Sequence, residues 1–347
     1  MKKMRVGVIG AGNIARNGHL PAYQLLKDIA EVVAIADLNL ERAQEAAKMF
    51  DIPKAYDSVE ALLANEDVDM IDICVWNHAH TDVAITAARA GKAVLCEKPL
   101  AKNLERALLT EQVVKETGVP FMCGMSSRYG QEVFMVKELI DNGELGEIYY
   151  CKTGYLRRRG TPHGWFTDLE KSGGGPLIDI GVHNIDTAWY LMGRPKPVRV
   201  SASTYAPFGD FQVKGVNRHQ ALDKGTGIVN TEDSACAIIH FENGATMFAE
   251  ASWAINGPDN RYTLLCGDKA GASLMPCVIY KENSAHYLVE ERPAFVPENK
   301  FANEIRHFIT CIHEGTTPIS PISDGVMVQR MLEAIYESAR THQEVEL

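Results

Sequence analysis

Three residues carry the clearest chemical signal in this sequence: Lys98, Asp179 and His183. Asp179 and His183 stand four apart in Pro176-Leu177-Ile178-Asp179-Ile180-Gly181-Val182-His183, a spacing that puts both on one face of a helix. An imidazole beside a carboxylate is a proton acceptor that titrates near neutrality. The same spacing also fits a core histidine held by a capping aspartate. A metal pair fits it less well, since no third ligand follows at metal spacing. The preceding run Gly173-Gly174-Gly175 permits unusual backbone angles ahead of the helix. Lys98 belongs to Glu97-Lys98-Pro99, directly after the apolar run 93–96. Ligands of an open parallel sheet bind beyond the C-terminal ends of its strands, so Lys98 is expected on the functional edge. There its ammonium can stabilise a developing alkoxide. Pro99 fixes the turn and is a candidate for a cis bond.

A second signal lies at the start of the chain. The apolar run 5–9 leads into Gly10-Ala11-Gly12-Asn13-Ile14-Ala15, a helix-like segment follows, and a second apolar run, 31–36, ends at Asp37. This is the G-x-G-x-x-G/A dinucleotide fingerprint in a strand–turn–helix context. Gly10 allows the tight turn, Gly12 lets backbone N–H groups approach a pyrophosphate, and Ala15 keeps the helix close to the strand. Gly10, Gly12, Asn13 and Ile14 therefore line the expected cofactor site. The helix N-terminus there attracts phosphate charge. Asp37 is placed to accept hydrogen bonds from the ribose hydroxyls, which favours NAD. NADP is disfavoured, because its 2′-phosphate meets the carboxylate; Arg42 nearby softens that discrimination.

The elements that must position these residues follow from periodicity. Apolar runs at 5–9, 31–36, 69–75, 93–96 and 119–123 alternate with helical segments at 14–28, 40–49, 58–65, 80–90 and 103–117. Such alternation predicts a doubly wound parallel sheet. Gly91 and Gly118 stand where helices should end, and Thr81-Asp82 and Asn103 where they should begin. After Gly124 the pattern changes. A helix is expected at 130–141, and strands at 147–156, 197–207, 233–241, 244–253, 261–266, 272–280 and 284–290. The runs 236–241 and 245–251 read as a hairpin around Glu242-Asn243-Gly244. Helices are expected at 176–192, 300–313 and 324–341. The fold class is thus α/β: a Rossmann domain over residues 1–123, then an α+β domain over 124–347 with a large, mostly antiparallel open sheet. The segment 233–290 should expose Ile, Val and Trp side chains on its open face, which predicts a homodimer or homotetramer.

Composition bounds the function classes. The chain has 347 residues, 46% of them hydrophobic, and a formal net charge of −10. That charge argues against nucleic acid or an anionic membrane as partner. No apolar run approaches the ~20 residues that span a bilayer. The segment Met1-Lys2-Lys3-Met4 leads straight into the first apolar run, without an apolar leader. The eight cysteines are scattered singly, which predicts buried free thiols in the reducing cytoplasm rather than disulfides or structural zinc.

Gly10-Ala11-Gly12, Glu97-Lys98-Pro99 and the segment from Gly173 to Asp186 occur in the order and spacing of the glucose–fructose oxidoreductase/inositol dehydrogenase (Gfo/Idh/MocA) family. The segment from Asp324 to Ala339 also resembles that family's C-terminal helix. The resemblance covers nearly the whole chain. It implies hydride transfer between nicotinamide and a sugar or cyclic polyol carbon, with His183 as proton acceptor. It further implies that Lys98 orients substrate and touches the nicotinamide ribose, with Glu97 beside it. Trp76-Asn77-His78-Ala79-His80 resembles the family's Pro-Asn-x-x-His, with Trp76 replacing the proline. Asn77 and His80 are then expected near the nicotinamide half of the cofactor. His78 has no counterpart and reads as a loop residue.

Arg128 is a candidate for a charged hydrogen bond to a substrate hydroxyl. Tyr155 and Trp165 are candidates for the sugar pocket, Trp165 by stacking on an apolar sugar face. Arg157, Arg158 and Arg159 fit a solvated loop or an interface equally well. Two other functions remain compatible with these residues. One is glycoside cleavage through transient oxidation by tightly held NAD; the other is a dinucleotide-binding regulator without turnover, against which Lys98, Asp179 and His183 all argue.

Overall fold

The computed structural model describes residues 2–209, 213 and 227–347. The chain forms two compact units, one of residues 1–126 with 299–329 and one of residues 127–298 with 330–347.

The first unit holds strands β1 (Met4–Ile9), β2 (Ala30–Ala36), β3 (Lys54–Tyr56), β4 (Met70–Ile73), β5 (Ala93–Glu97) and β6 (Phe121–Gly124). They form one parallel sheet in the order β3-β2-β1-β4-β5-β6, the Rossmann order. Strands β4, β5 and β6 are buried along their whole length. Burial on both faces is what produces continuous apolar runs rather than alternation. The crossover helices are α1 (Leu20–Leu25), α2 (Leu40–Phe50), α3 (Val59–Asn65), α4 (His80–Arg89) and α5 (Leu104–Thr117). A π turn over Ala15–His19 precedes α1. Asn103 caps α5 as expected, accepting from Arg106 N at 3.0 Å, and Gly91 and Gly118 follow the ends of α4 and α5.

Two local expectations fail in this unit. Thr81 and Asp82 do not cap α4, which starts at His80 after a short helical turn over Asn77–Ala79. Thr81 is buried and its hydroxyl donates to Arg106 O, so that polar side chain serves helix packing. The short edge strand β3 has no apolar run to announce it.

The second unit holds α6 (Gln131–Asp141), β7 (Ile148–Leu156), α7 (Leu169–Ser172), α8 (Val182–Leu191) and β8 (Pro197–Tyr205). It continues with β9 (Ser234–Phe241), β10 (Thr246–Ser252), β11 (Asn260–Gly267), β12 (Ala270–Leu274), β13 (Cys277–Glu282) and β14 (Leu288–Glu291). Helices α9 (Lys300–Glu314) and α10 (Ile322–Thr341) and strand β15 (Val345–Glu346) complete the chain. α9 and the start of α10 belong to the first unit. The nine-stranded sheet runs β14-β13-β12-β11-β7-β10-β9-β8-β15; only the β7–β10 pair is parallel. β9 and β10 form the expected hairpin, pairing Thr246 with His240. The run 272–280 is not one strand. Pro276 interrupts it, and β12 and β13 fold back on each other around the cis bond Met275–Pro276. A proline inside a strand pattern removes a ladder donor and marks such a break.

One face of this sheet is covered by α8 and the π turn Leu177–Gly181 before it. Alternation in β9 puts Ala235, Ala237, Ile239 and Phe241 under that cover. The other face carries Ile238, Phe248 and Leu264 beside Lys152 and Glu250. Trp253, expected on the open face, is instead 1% exposed, packed with Ile180 and Ala251. No helix is long and apolar enough to cross a membrane among the described residues.

Candidate active site

The glycine turn and its neighbours lie in the first unit. Gly10 leaves β1 at φ +101°, and a Cβ there would stand 2.5 Å from Cys74 O, so only glycine fits. A Cβ at Gly12 would meet nothing within 4 Å, so the space above this turn is open to a ligand. Asn13 is exposed, Ile14 half-buried and Ala15 fully buried. Asp37, 8% exposed, ends this turn's reach: its Oδ2 accepts from Ala11 N at 2.8 Å and its Oδ1 from Asn39 N at 2.9 Å. Arg42 forks the same carboxylate through Nε at 3.1 Å and Nη2 at 2.8 Å. The turn, the open space and the carboxylate fit a dinucleotide.

At the end of β5, the Lys98–Pro99 bond is cis, as the sequence reading expected, and Lys98 is half-buried. Glu97 and His80 do not present themselves to a ligand. Glu97 is turned inward, 4% exposed; its Oε2 accepts from Lys98 N at 2.9 Å and its Oε1 meets His19 Nε2 at 2.9 Å. His80 is 1% exposed, its Nδ1 2.7 Å from Pro99 O and its Nε2 3.1 Å from Val75 O. Burial pushes its pKa down, so the ring is a neutral brace between the ends of β4 and β5. Asn77 is buried beside it, and His78, expected in a loop, is exposed but lies in the short helical turn Asn77–Ala79.

The group behind Glu97 escapes the sequence reading. His19 lies in the π turn with its Nδ1 2.8 Å from Asp72, whose carboxylate also accepts from Tyr23 at 2.9 Å. Burial opposes charge on His19, but Asp72 outweighs it and the pKa stands well above the ordinary value. Burial likewise opposes charge on Glu97, and the hydrogen bond and charge of His19 reverse that, holding its carboxyl below its usual range. His19 thus braces the carboxylate that accepts from the Lys98 backbone N–H. His19, Asp72 and Cys74 cluster closely enough for a metal, and both imidazole nitrogens face carboxylates, Nδ1 that of Asp72 and Nε2 that of Glu97. Glu304 of α9 is buried nearby, with neither oxygen hydrogen-bonded, and burial and Glu97 push its pKa well up. One signal was available: Asp72 puts a charge inside the otherwise apolar run Met70-Ile71-Asp72-Ile73.

Asp179 and His183 lie in the second unit. Asp179 lies in the π turn and His183 in the first turn of α8, both half-buried. The four-residue spacing therefore spans the join between two helix types. Trp253 Nε1 donates to Asp179 Oδ2 at 3.0 Å. Glu232 anchors the start of the turn, accepting from Gly175 N at 2.9 Å, Leu177 N at 3.2 Å and Tyr336 Oη at 2.9 Å. This explains the glycine run: a Cβ at Gly174 would stand 2.1 Å from Tyr336 Oη, and one at Gly175 2.3 Å from Glu232 O. Asn184 ties α8 to the sheet by donating to Gly154 O at 2.8 Å and Tyr262 O at 3.2 Å.

Arg128, a candidate substrate ligand, is turned into the protein interior. It is 0% exposed and forks Asp186 through Nε at 2.9 Å and Nη2 at 2.6 Å, with the Tyr190 ring 4.7 Å away. Full burial of a guanidinium requires such a fork. Tyr155 packs on the Ile180–Ala251–Trp253 cluster, and Trp165 stacks on Phe166 with centroids 4.0 Å apart.

A Rossmann sheet with an open glycine turn, joined to an antiparallel sheet whose covering helix carries an aspartate and a histidine, defines a nicotinamide-type oxidoreductase fold. The chain belongs to the Gfo/Idh/MocA oxidoreductase family. Residues 4–125 match that family's NAD-binding Rossmann fold and residues 137–347 its C-terminal alpha/beta domain. It is 33% identical to the D-glucoside 3-dehydrogenase of Escherichia coli K12, over 99% of this chain and 97% of that one. It is 30% identical to the levoglucosan dehydrogenase of Pseudarthrobacter phenanthrenivorans, over 76% of this chain and 71% of that one. A solved levoglucosan dehydrogenase in complex with NADH and L-sorbose superimposes with a TM-score of 0.89 at 25% identity, covering 100% of this chain and 99% of that one.

Proposed function

We propose that this protein is an NAD-dependent dehydrogenase of a sugar or cyclic polyol hydroxyl, with a pyranose as the best-supported substrate. The observation that carries the reading is Asp179, pinned by the Trp253 indole four residues before a half-buried His183. His183 takes the hydroxyl proton as the carbon is oxidised. Asp179, held in one orientation, positions the substrate and tunes His183. Lys98, fixed through Glu97 and His19, donates to the oxygen that becomes an alkoxide. The first unit binds the dinucleotide over Gly10, Gly12, Asn13 and Ile14, with Asp37 on the ribose and Asn77 towards the nicotinamide half. NAD, when bound, supplies the hydride acceptor. Asp37 supports NAD over NADP. Tyr155 and Trp165 contribute to the sugar site.

Ile238, Phe248 and Tyr280 on the outer sheet face support a homodimer or homotetramer assembled through that face, checked by light scattering at micromolar protein. The eight free thiols fit a cytoplasmic location. The experiment that tests the activity is a screen of inositols, aldoses, glucosides and anhydrosugars for NADH formation. Net NADH with a pyranose supports the dehydrogenase; glycoside cleavage without net NADH favours transient oxidation and counts against it.

A further inference from the structure

Tyr155, near the end of β7, lies between two guanidinium groups. Arg157 stands 5.0 Å from the ring centroid, and Arg261, its partner across the β7–β11 ladder, stands 4.8 Å away. Arg157 also donates to the Tyr155 hydroxyl at 3.4 Å and to Gly160 O at 3.3 Å. Arg261 donates to Ser127 Oγ at 3.4 Å, and its Nε is buried with no acceptor. Among the described residues, neither guanidinium forms an ion pair with a carboxylate. Glu132 of α6 is felt electrostatically by Arg261 but does not pair with it.

This is an unusual arrangement. A guanidinium withdrawn from solvent normally carries a carboxylate, as the fully buried Arg128 does with Asp186 in the same unit. Here two like charges share one aromatic ring; burial works most strongly against charge on Arg261, Tyr155 and Glu132 offset part of that, and Arg157 adds to it. Arg159 of the same run is accounted for: it bonds Ile255 O and Asn256 and covers Phe208. The clamp also lies beside the chemistry. Tyr155 packs on the cluster containing Trp253, and Trp253 holds Asp179.

Building on the dehydrogenase reading, we propose that Arg157 and Arg261 form an oxyanion subsite, so that the sugar oxidised here carries a carboxylate or phosphate group. A guanidinium fork matches the paired oxygens of either group. A neutral hydroxyl would satisfy the Arg261 Nε but leave two positive charges uncompensated. An anion does both.

Glucuronate and glucose 6-phosphate carry the charge; glucose does not. Calorimetric titration of the three into the NADH-loaded protein reads the subsite directly. The anionic sugar binds about tenfold tighter than glucose or better, and the preference shrinks with added salt. A preference for glucuronate identifies a carboxylate, and one for glucose 6-phosphate a phosphate ester. Arg261→Met and Arg157→Met each lower the ratio of anion to glucose affinity by about tenfold, and Arg261→Lys recovers part of it. Glucose binding as tightly as both anions in the wild type overturns the subsite, whatever the variants do. So does an unchanged ratio in both methionine variants. NADH formation, measured separately, keeps the two ideas apart. Anion preference without turnover retains the subsite and rejects the dehydrogenase; turnover of neutral sugars without anion preference does the reverse.

Discussion

Replacing Asp37 by serine tests how the first unit chooses its cofactor. The Asp37 carboxylate accepts from Ala11 N and Asn39 N, and Arg42 forks it through two further bonds. It is therefore held rigidly at the edge of the open glycine turn. A hydrogen bond from a ribose hydroxyl to this charged group is worth about 1.5–3 kcal/mol, so losing one lowers NAD affinity by roughly 10- to 150-fold. Asp37→Ser also removes the fork that Asp37 makes with the Arg42 guanidinium, which becomes more available to a 2′-phosphate. NADP affinity should hold or rise while NAD affinity falls. The double variant Asp37→Ser/Arg42→Ala should lose the NADP gain and keep the NAD loss. Fluorescence titration of both cofactors against the three proteins reads each constant without turnover. A wild type that binds NADP at least as tightly as NAD refutes the reasoning. An NAD-to-NADP ratio that does not move in Asp37→Ser refutes it as well.

Trp253→Phe keeps the ring in the Ile180–Ala251 cluster but removes the 3.0 Å bond to Asp179; kcat/KM should fall about tenfold or more, since a bond to a charged group is lost, and an unchanged value contradicts the positioning role. The buried Glu304 has a folded-state pKa raised above its unfolded value. It costs nothing below the unfolded pKa and destabilises progressively as pH rises towards the folded one. Glu304→Gln has no such titration, so its melting temperature relative to wild type should climb as pH rises above the ordinary carboxylate range; a difference independent of pH rules this out. Asp186→Ala strips the buried Arg128 of its fork and should cost about 3–5 kcal/mol of stability, read as a lowered melting temperature. A melting temperature equal to wild type would mean that Arg128 has another partner.

The two sheets were legible in the sequence because their patterns differ in kind. Continuous apolar runs between helical segments can only be a covered parallel sheet, and β4 to β6 are buried at every position. Alternation such as Ser234–Phe241 can only be a sheet with one covered face. The glycine turn, Asp37, Lys98, Asp179 and His183 were legible because their backbone neighbours fix where they stand. What failed depended on partners far along the chain. Arg128 looked like a ligand by position, but its partner Asp186 lies 58 residues away. Glu97 and His80 sit in recognisable motifs, yet their side chains turn inward to His19 and Pro99. His19, Glu232 and Trp253 carry no local pattern at all. Their roles exist only through contacts between distant segments, as with Glu232, which meets Gly175 and Tyr336. The packing of 299–329 with the first unit likewise has no local signature.

The central claim is that His183 is the proton acceptor of a sugar dehydrogenase. It is tested most directly by turnover per folded molecule of His183→Ala, with melting temperature and NAD affinity measured on the same sample. NAD affinity should stay near wild type, since the cofactor residues lie elsewhere in the chain. Melting should change little, because His183 is only half-buried. Turnover should drop about 10²- to 10⁴-fold, the loss expected when a general base is removed. Wild-type turnover in a folded His183→Ala sample, or an activity loss that merely follows a fall in melting temperature, contradicts the account.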